Sequence, residues 1–233
     1  MASVRRRPLR ILIATGPTRE PLDPVRFISN YSTGTMGQHL AETALRRGHR
    51  VRMVSGPTGL RPPRGAAVRW VERTDDMRRA LARDLHWADA LVMAAAVADF
   101  RPAAIRRSKL PRRSMTTMHL RPTTDVIGTL PRRRHQLRVG FALETERLLP
   151  RAAAKLKAKR LDLIVANQGS RRGKGPFGAR PVRAAILDAS GRTRRLGTVS
   201  KRRLAAAVLD SIERLWYGQP ELTPATSAII RSP

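Results

Sequence analysis

Cysteine is absent from this chain, so disulfides and thiolate chemistry are excluded and no oxidising compartment is needed. Aromatic residues are scarce, at 4%, whereas single-strand nucleic-acid binders interleave stacking aromatics with their positive charge. No apolar run approaches the roughly 20 residues that span a bilayer. The N-terminal MASVRRRPLR is basic but lacks the apolar stretch of a signal peptide. These absences lead to the expectation of a cytoplasmic protein. Acidic residues are few as well, 17 against 47 basic ones, for a formal net charge of +30. Only six of the basic residues are lysine. The arginines spread along the whole chain rather than into one region, which reads as drift on solvated faces, with non-specific polyanion binding as a side property. A retained lysine then points to a place that wants a compact ammonium rather than a guanidinium fork.

What the chain does have is two polar, glycine-bearing turns close together. TGPTRE (Thr15–Glu20) is followed by ISNYSTGTMG (Ile28–Gly37), crowded with Ser29, Asn30, Ser32, Thr33, Gly34 and Gly37. Backbone N–H groups and hydroxyls at a loop-to-helix junction suit an anionic, phosphorylated ligand. Around them runs an α/β pattern. Arg10–Ala14, Val51–Val54, Ala67–Val71 and Ala90–Ala96 read as strands. Met36–Arg47, closed by Gly48, and a helix capped by Thr74 and running to about Trp87 alternate with them. Residues Phe100–Met115 lack an apolar period and read as a long flap. Asp125–Leu130 reads as a short helix, Arg138–Ala142 as a strand, Glu146–Arg160 as a helix and Asp162–Val165 as another strand. Ser170–Arg180 reads as a loop. Val182–Leu187 and Thr193–Val199 suggest a hairpin, and Ser200 caps a last helix. The expected fold is α/β, a Rossmann-like, doubly wound and mainly parallel sheet with a C-terminal β-hairpin and a flap. The expected organisation is a basic extension over residues 1–8, one domain over 9–218, and a disordered tail over 219–233.

The segments TGPTREPLDPVRFISN, STGTMG, VSGPT, AAAVADFRP, GFALET and KRLDLIVAN together resemble phosphopantothenate–cysteine ligase. That enzyme, also called phosphopantothenoylcysteine synthetase, is the second domain of the bacterial bifunctional coenzyme A flavoproteins. The resemblance runs from about Leu9 to Gly218, with the motifs in family order. It implies a stand-alone ligase, a likeness to members that use CTP as co-substrate with Mg²⁺, a homodimer, and a separate decarboxylase as partner. It implies activation of the carboxylate of 4′-phosphopantothenate as an acyl-nucleotide, then displacement of the nucleotide by L-cysteine.

The same resemblance implies site residues. Asn30 would donate to the acyl carbonyl or position the incoming amine, and Lys109, the only lysine before Lys155, would act on the triphosphate from the flap. Arg26, Ser32, Thr33 and Gly34 would hold the phosphorylated substrate. Ala95, Ala96, Asp99, the turn Thr123, Thr124, Asp125 and Val126, and Phe141 would line the nucleotide. Lys155 and Lys159, at i and i+4 on one helix face, would meet its phosphates, with Lys157 off that face. No metal-ligand set is expected. The chain departs from the family pattern at Thr35, where a lysine is common, at KLPR (Lys109–Arg112), at TTDV (Thr123–Val126) and at Gln168. A dinucleotide oxidoreductase would carry a GxGxxG turn after the first strand and an acid after the second; this chain has TGPTRE and no such acid. A degenerate homologue and a polyanion-binding protein on the same fold are the remaining alternatives.

Overall fold

A computed structural model of the chain describes residues 7–112, 117–169, 177–178 and 180–218. The expected tail, residues 1–6 of the extension, most of the 170–180 loop and residues 113–116 of the flap lie outside the described residues. The element order begins β1 (Arg10–Thr15), β2 (Arg19–Pro21), β3 (Phe27–Ser29), α1 (Thr35–Arg46), β4 (Arg50–Ser55), β5 (Ala67–Trp70) and α2 (Thr74–Asp84). It continues β6 (Ala90–Met93), β7 (Phe100–Pro102), β8 (Leu120–Pro122), α3 (Val126–Thr129), β9 (Leu137–Glu144) and α4 (Leu148–Ala158). Last come β10 (Leu163–Gln168), β11 (Val182–Asp188), β12 (Thr193–Val199) and α5 (Lys201–Tyr217).

Eight strands form one sheet in the order β12-β11-β10-β9-β6-β1-β4-β5. The six strands from β10 to β5 run parallel, and β11 and β12 add an antiparallel hairpin at one edge. The alternation along β1 shows why the sheet is covered on both faces. Ile11 and Ile13 join Leu40 and Ala44 of α1 and Leu204 and Val208 of α5 on one side. Leu12 and Ala14 join Met77 and Leu81 of α2 and Ala152 of α4 on the other. The inner strands therefore bury both of their rows, as crossover helices on the two faces of a parallel sheet require, while the edge strands β5 and β12 are largely exposed.

The order leaves β1 in two directions, toward β4 and β5 on one side and β6 on the other. This makes the carboxyl ends of β1 and β6 the topological switch point, where open α/β sheets bind ligands. Gly37 shapes that point. A Cβ there would overlap the Thr15 side chain at the end of β1, so only glycine lets the first turn of α1 come so close. Gly34, just before α1, has a left-handed φ of 75°, which glycine adopts without steric cost.

Several expected boundaries move. Arg73, not Thr74, is the N-cap of α2, and the Asp76 carboxylate reaches back to accept from the Arg73 N–H at 3.1 Å. The helix stops at Asp84 and tightens into a 3₁₀ turn at Leu85–Trp87. The expected Glu146–Arg160 helix is shorter because Arg147 stands in a left-handed conformation, φ 47°, just before Leu148. The flap is not structureless throughout: Phe100–Pro102 pairs antiparallel with Leu120–Pro122, an exposed ladder without the apolar alternation that would announce it. The β2–β3 hairpin was likewise hidden, being only three residues a side with no apolar alternation.

Candidate active site

A cleft of about 660 Å³ opens at the switch point. Its first wall is the chain leaving β1. Asn30, at the end of β3, donates both hydrogens of Nδ2, one to the Ala96 carbonyl and one to the Val97 carbonyl, each at 3.0 Å. Carbonyl oxygens only accept, so the amide nitrogen must face them and Oδ1, an acceptor, is the atom left for a ligand. Of the two roles implied for Asn30, positioning an amine suits this arrangement and donating to an acyl carbonyl does not. Ser32, Thr33 and Gly34 follow along the same wall. Thr33 Oγ1 lies 2.7 Å from Thr35 Oγ1 and accepts from the Gly178 N–H at 3.2 Å. Helix α1 then starts without a side-chain cap and with no acid in its first turn. Its free N–H groups and positive dipole end border the cleft at Gly34, Thr35 and Met36.

The second wall is the chain leaving β6. Ala94 and Ala96 continue alongside the first wall, with their N–H groups on Ala14 O at 3.0 Å and Gly16 O at 2.9 Å. Ala95, Ala96 and Asp99 line the cleft. The Thr123 hydroxyl donates to Ala98 O at 2.5 Å, and its N–H to Asp99 O at 2.9 Å. These bonds bring Thr123, Thr124, Asp125 and Val126 to the same opening. Asp125 caps α3 by accepting from the Gly128 N–H. From β9, the buried Arg138 guanidinium donates to the carbonyls of Ile127, Leu130 and Pro131 at 3.3, 3.0 and 2.6 Å. That fork fixes α3 and so the turn before it; burial pulls the Arg138 pKa below its usual value.

The third wall comes from β9 and α4. Phe141, Lys155 and Lys159 line the cleft. Lys155 Nζ is 2.7 Å from Glu144 Oε1, and Lys159 Nζ is 3.0 Å from Asp125 Oδ1. Burial alone would raise the Glu144 carboxyl, but hydrogen bonds from Lys155 and Arg151 outweigh it and hold the pKa below its ordinary value.

Two of the residues implied by resemblance stand elsewhere. Arg26 is not in the cleft: its guanidinium grips Asp23 and donates to the Leu110 carbonyl at 2.9 Å. Those hydrogen bonds, with backbone N–H donors, hold the Asp23 carboxyl far below its ordinary value. Lys109, next to that anchor, is exposed and outside the cleft lining. Conversely, Asn167, Phe177 and Lys201 line the cleft without having been singled out. Asn167 Oδ1 is buried with no hydrogen-bond partner among the described residues. Its signal was its place at the end of the KRLDLIVAN strand; that of Lys201 was its residue type in an arginine-rich chain.

Known proteins can now be set beside this geometry. The sequence signature described as the DNA/pantothenate metabolism flavoprotein C-terminal domain matches residues 7–215. The chain belongs to that family. It is 41% identical over 207 residues to a cysteine/cysteine sulfinic acid decarboxylase of an unknown prokaryotic organism, covering 87% of this chain and 57% of that protein. It is 40% identical over 208 residues to the coenzyme A biosynthesis bifunctional protein CoaBC of Bacillus subtilis (strain 168), covering 88% and 51%. The chain thus spans about half the length of these curated relatives. A crystal structure of the C-terminal domain of a CoaBC protein superposes with a TM-score of 0.77 at 33% identity, covering 91% of this chain and 97% of that one. The Rossmann-like, mainly parallel sheet is therefore the architecture of this family of domains. No helix among the described residues is long and apolar enough to cross a membrane.

Proposed function

We propose that this family member joins 4′-phosphopantothenate to L-cysteine, with CTP as co-substrate. The observation that carries the reading is Asn30, whose amide nitrogen is tied to the β6 exit while its acceptor oxygen is left at the cleft. The likeness to the C-terminal domain of CoaBC proteins supports it. In the first step a carboxylate oxygen of phosphopantothenate attacks the α-phosphorus of CTP. The α–β anhydride bond breaks and pyrophosphate leaves. In the second, the cysteine nitrogen attacks the acyl carbon and the acyl–oxygen bond breaks. CMP leaves and the surplus amine proton passes to solvent.

Each wall has a part in this reading. Asn30 Oδ1 accepts a hydrogen bond from the cysteine amine and aims its lone pair at the acyl carbon. The uncapped start of α1, with Thr33 and Thr35, offers N–H and hydroxyl donors to phosphate oxygens. Lys155 and Lys159 turn from their acidic partners to the nucleotide phosphates, and Phe141 lies against its base or ribose. The turn Thr123–Val126 reads the base through its backbone. Lys109 reaches the triphosphate only if the flap folds over the cleft, a movement this reading requires.

No group of three or more potential metal ligands occurs among the described residues. Mg²⁺ is commonly held by substrate phosphates and one or two carboxylates, and Asp99 is a cleft carboxylate suited to that. When bound, Mg²⁺ neutralises charge on the triphosphate. The reading extends to a cytoplasmic homodimer and to a phosphopantothenoylcysteine decarboxylase that consumes the product.

The test is a pyrophosphate-release assay with phosphopantothenate, cysteine, Mg²⁺ and CTP, omitting each in turn, and repeated with ATP. Release should require nucleotide and phosphopantothenate together, with CTP preferred. No release with any triphosphate from folded protein would reject the reading.

A further inference from the structure

Lys201 differs from the other cations of the cleft. It is the first residue of α5, directly after the cap Ser200, yet only 8% of its surface is exposed. Lysine is almost never buried so far unless it is paired. Lys155 and Lys159 have acidic partners. Among the described residues, Lys201 has no carboxylate in ion-pair distance and no hydrogen-bond acceptor. Burial lowers its pKa, with no opposing interaction. The chain has six lysines among 47 basic residues, so an unpaired and buried one is not explained by drift toward arginine on solvated faces.

A second, independent feature meets it. Lys201 lines the same cleft as Gly34, Thr35 and Met36, where the twelve-residue helix α1 starts without a side-chain cap. Helices α1 and α5 pack on the same face of the sheet. Among the described residues, the cleft therefore holds an ammonium without an ion-pair partner beside a helix start without a side-chain cap. A tetrahedral anion with several oxygens satisfies both at once. A neutral base leaves the charge unmatched, and an amine satisfies neither.

We infer that Lys201 and the N-terminus of α1 form a phosphate subsite of the cleft, taking a phosphate group of one of the two phosphorylated ligands. The sources are the polyphosphate of the nucleotide and the phosphate ester of phosphopantothenate; naming them rests on the ligase reading above. The ammonium enters an ion pair when the ligand arrives, which offsets the desolvation it carries in the free protein.

The experiment titrates the full chain calorimetrically, at fixed ionic strength, with inorganic tripolyphosphate and separately with 4′-phosphopantothenate. The proteins are wild type, Lys201→Met, Lys201→Arg and Lys157→Met. Lys157 is exposed on α4, so its variant removes the same charge from a chain of net charge +30 and controls for non-specific attraction. Lys201→Met should weaken one probe tenfold or more and the other less than threefold, which names the source. Lys201→Arg should recover part of the loss, and Lys157→Met should bind as wild type. Lys201→Met should melt no lower than wild type, since it removes an unpaired, partly desolvated charge.

If Lys201→Met does not fold, wild-type protein with ¹³C-labelled lysine answers instead. The Lys201 side-chain signal should shift with one probe while that of Lys157 stays still. Binding of both probes within threefold of wild type, or an unmoved Lys201 signal, overturns the inference. Lys201-dependent binding without any ligation would reject the ligase reading and keep the subsite. Ligation by Lys201→Met with unchanged KM for both phosphorylated substrates would do the reverse.

Discussion

Asn30 is tied to Ala96: its Nδ2 lies 3.0 Å from the Ala96 carbonyl, and a second hydrogen reaches Val97 O at the same distance. One side chain thus joins the exits of β3 and β6 across the switch point and presents its oxygen to the cleft. Asn30→Ala should leave carboxylate activation largely intact and slow amide formation by about 10²–10³, the range for losing one polar group that acts in the transition state. The acyl-nucleotide should accumulate and be detectable by mass spectrometry. Equal loss in both half-reactions would make Asn30 a structural tie only.

Glu144 holds Lys155 in the free protein, but Arg151 Nη1 also reaches Glu144 at 3.2 Å. Lys155→Met should therefore cost little stability, because the carboxylate keeps a partner and Lys155 is half exposed. Lys155→Arg should still raise the nucleotide KM about 5–30-fold, equivalent to about 1–2 kcal/mol for one charged hydrogen bond. Lys157→Arg should be silent. Steady-state kinetics with CTP decides, and an unchanged KM in Lys155→Arg would remove that lysine from the nucleotide site.

Gly37→Ala should destabilise the fold, since the added Cβ meets the Thr15 side chain. Overpacking of this kind costs about 1–3 kcal/mol, or a fall in Tm of about 2–12 °C for a domain of this size. Activity should fall as well, because the shift displaces the start of α1 from the cleft. Scanning calorimetry checks the first effect, and a Tm equal to wild type would show that α1 has room to move.

Asp89 provides a pH signature. Burial would raise its carboxyl, but side-chain and backbone hydrogen bonds from Arg10, and then Arg7, outweigh that and lower the pKa. A carboxylate with a depressed folded pKa adds stability that is present above the unfolded value, near 3.8. It is lost as pH falls through the folded value. Asp188, with Ser190 and Arg214 against its own burial, acts in the same direction. Wild-type Tm should thus drop steeply on the acid side below about pH 4. Asp89→Asn should lower Tm at pH 7 and flatten that drop; an unchanged slope would mean that other groups carry it.

The central sheet was legible because its residues have one job. Ala90–Met93 and Leu163–Ala166 are short continuous apolar runs of the kind that buried parallel strands carry. The paired turns at Thr15–Glu20 and Ile28–Gly37 were legible because polar crowding beside glycine is not what a core selects. The β2–β3 and β7–β8 ladders were not, because three residues a side are too few to show a period. Arg26 misled because sequence cannot say that Asp23, three residues earlier, occupies its guanidinium. Lys201 was hidden for the opposite reason: a lysine at a helix start looks solvated, and only the fold sets it against the cleft and covers it. Lys155 and Lys159 were readable as a pair from their i, i+4 spacing, but their partners Glu144 and Asp125 come from distant elements.

The most direct measurement follows an oxygen atom. Phosphopantothenate labelled with ¹⁸O in its carboxylate is incubated with the protein, CTP, Mg²⁺ and cysteine, and the products are weighed by mass spectrometry. Attack of the carboxylate on the α-phosphorus predicts one ¹⁸O in CMP and unlabelled pyrophosphate, in step with formation of phosphopantothenoylcysteine. Label appearing in inorganic phosphate, or amide formed with unlabelled CMP, would contradict the account.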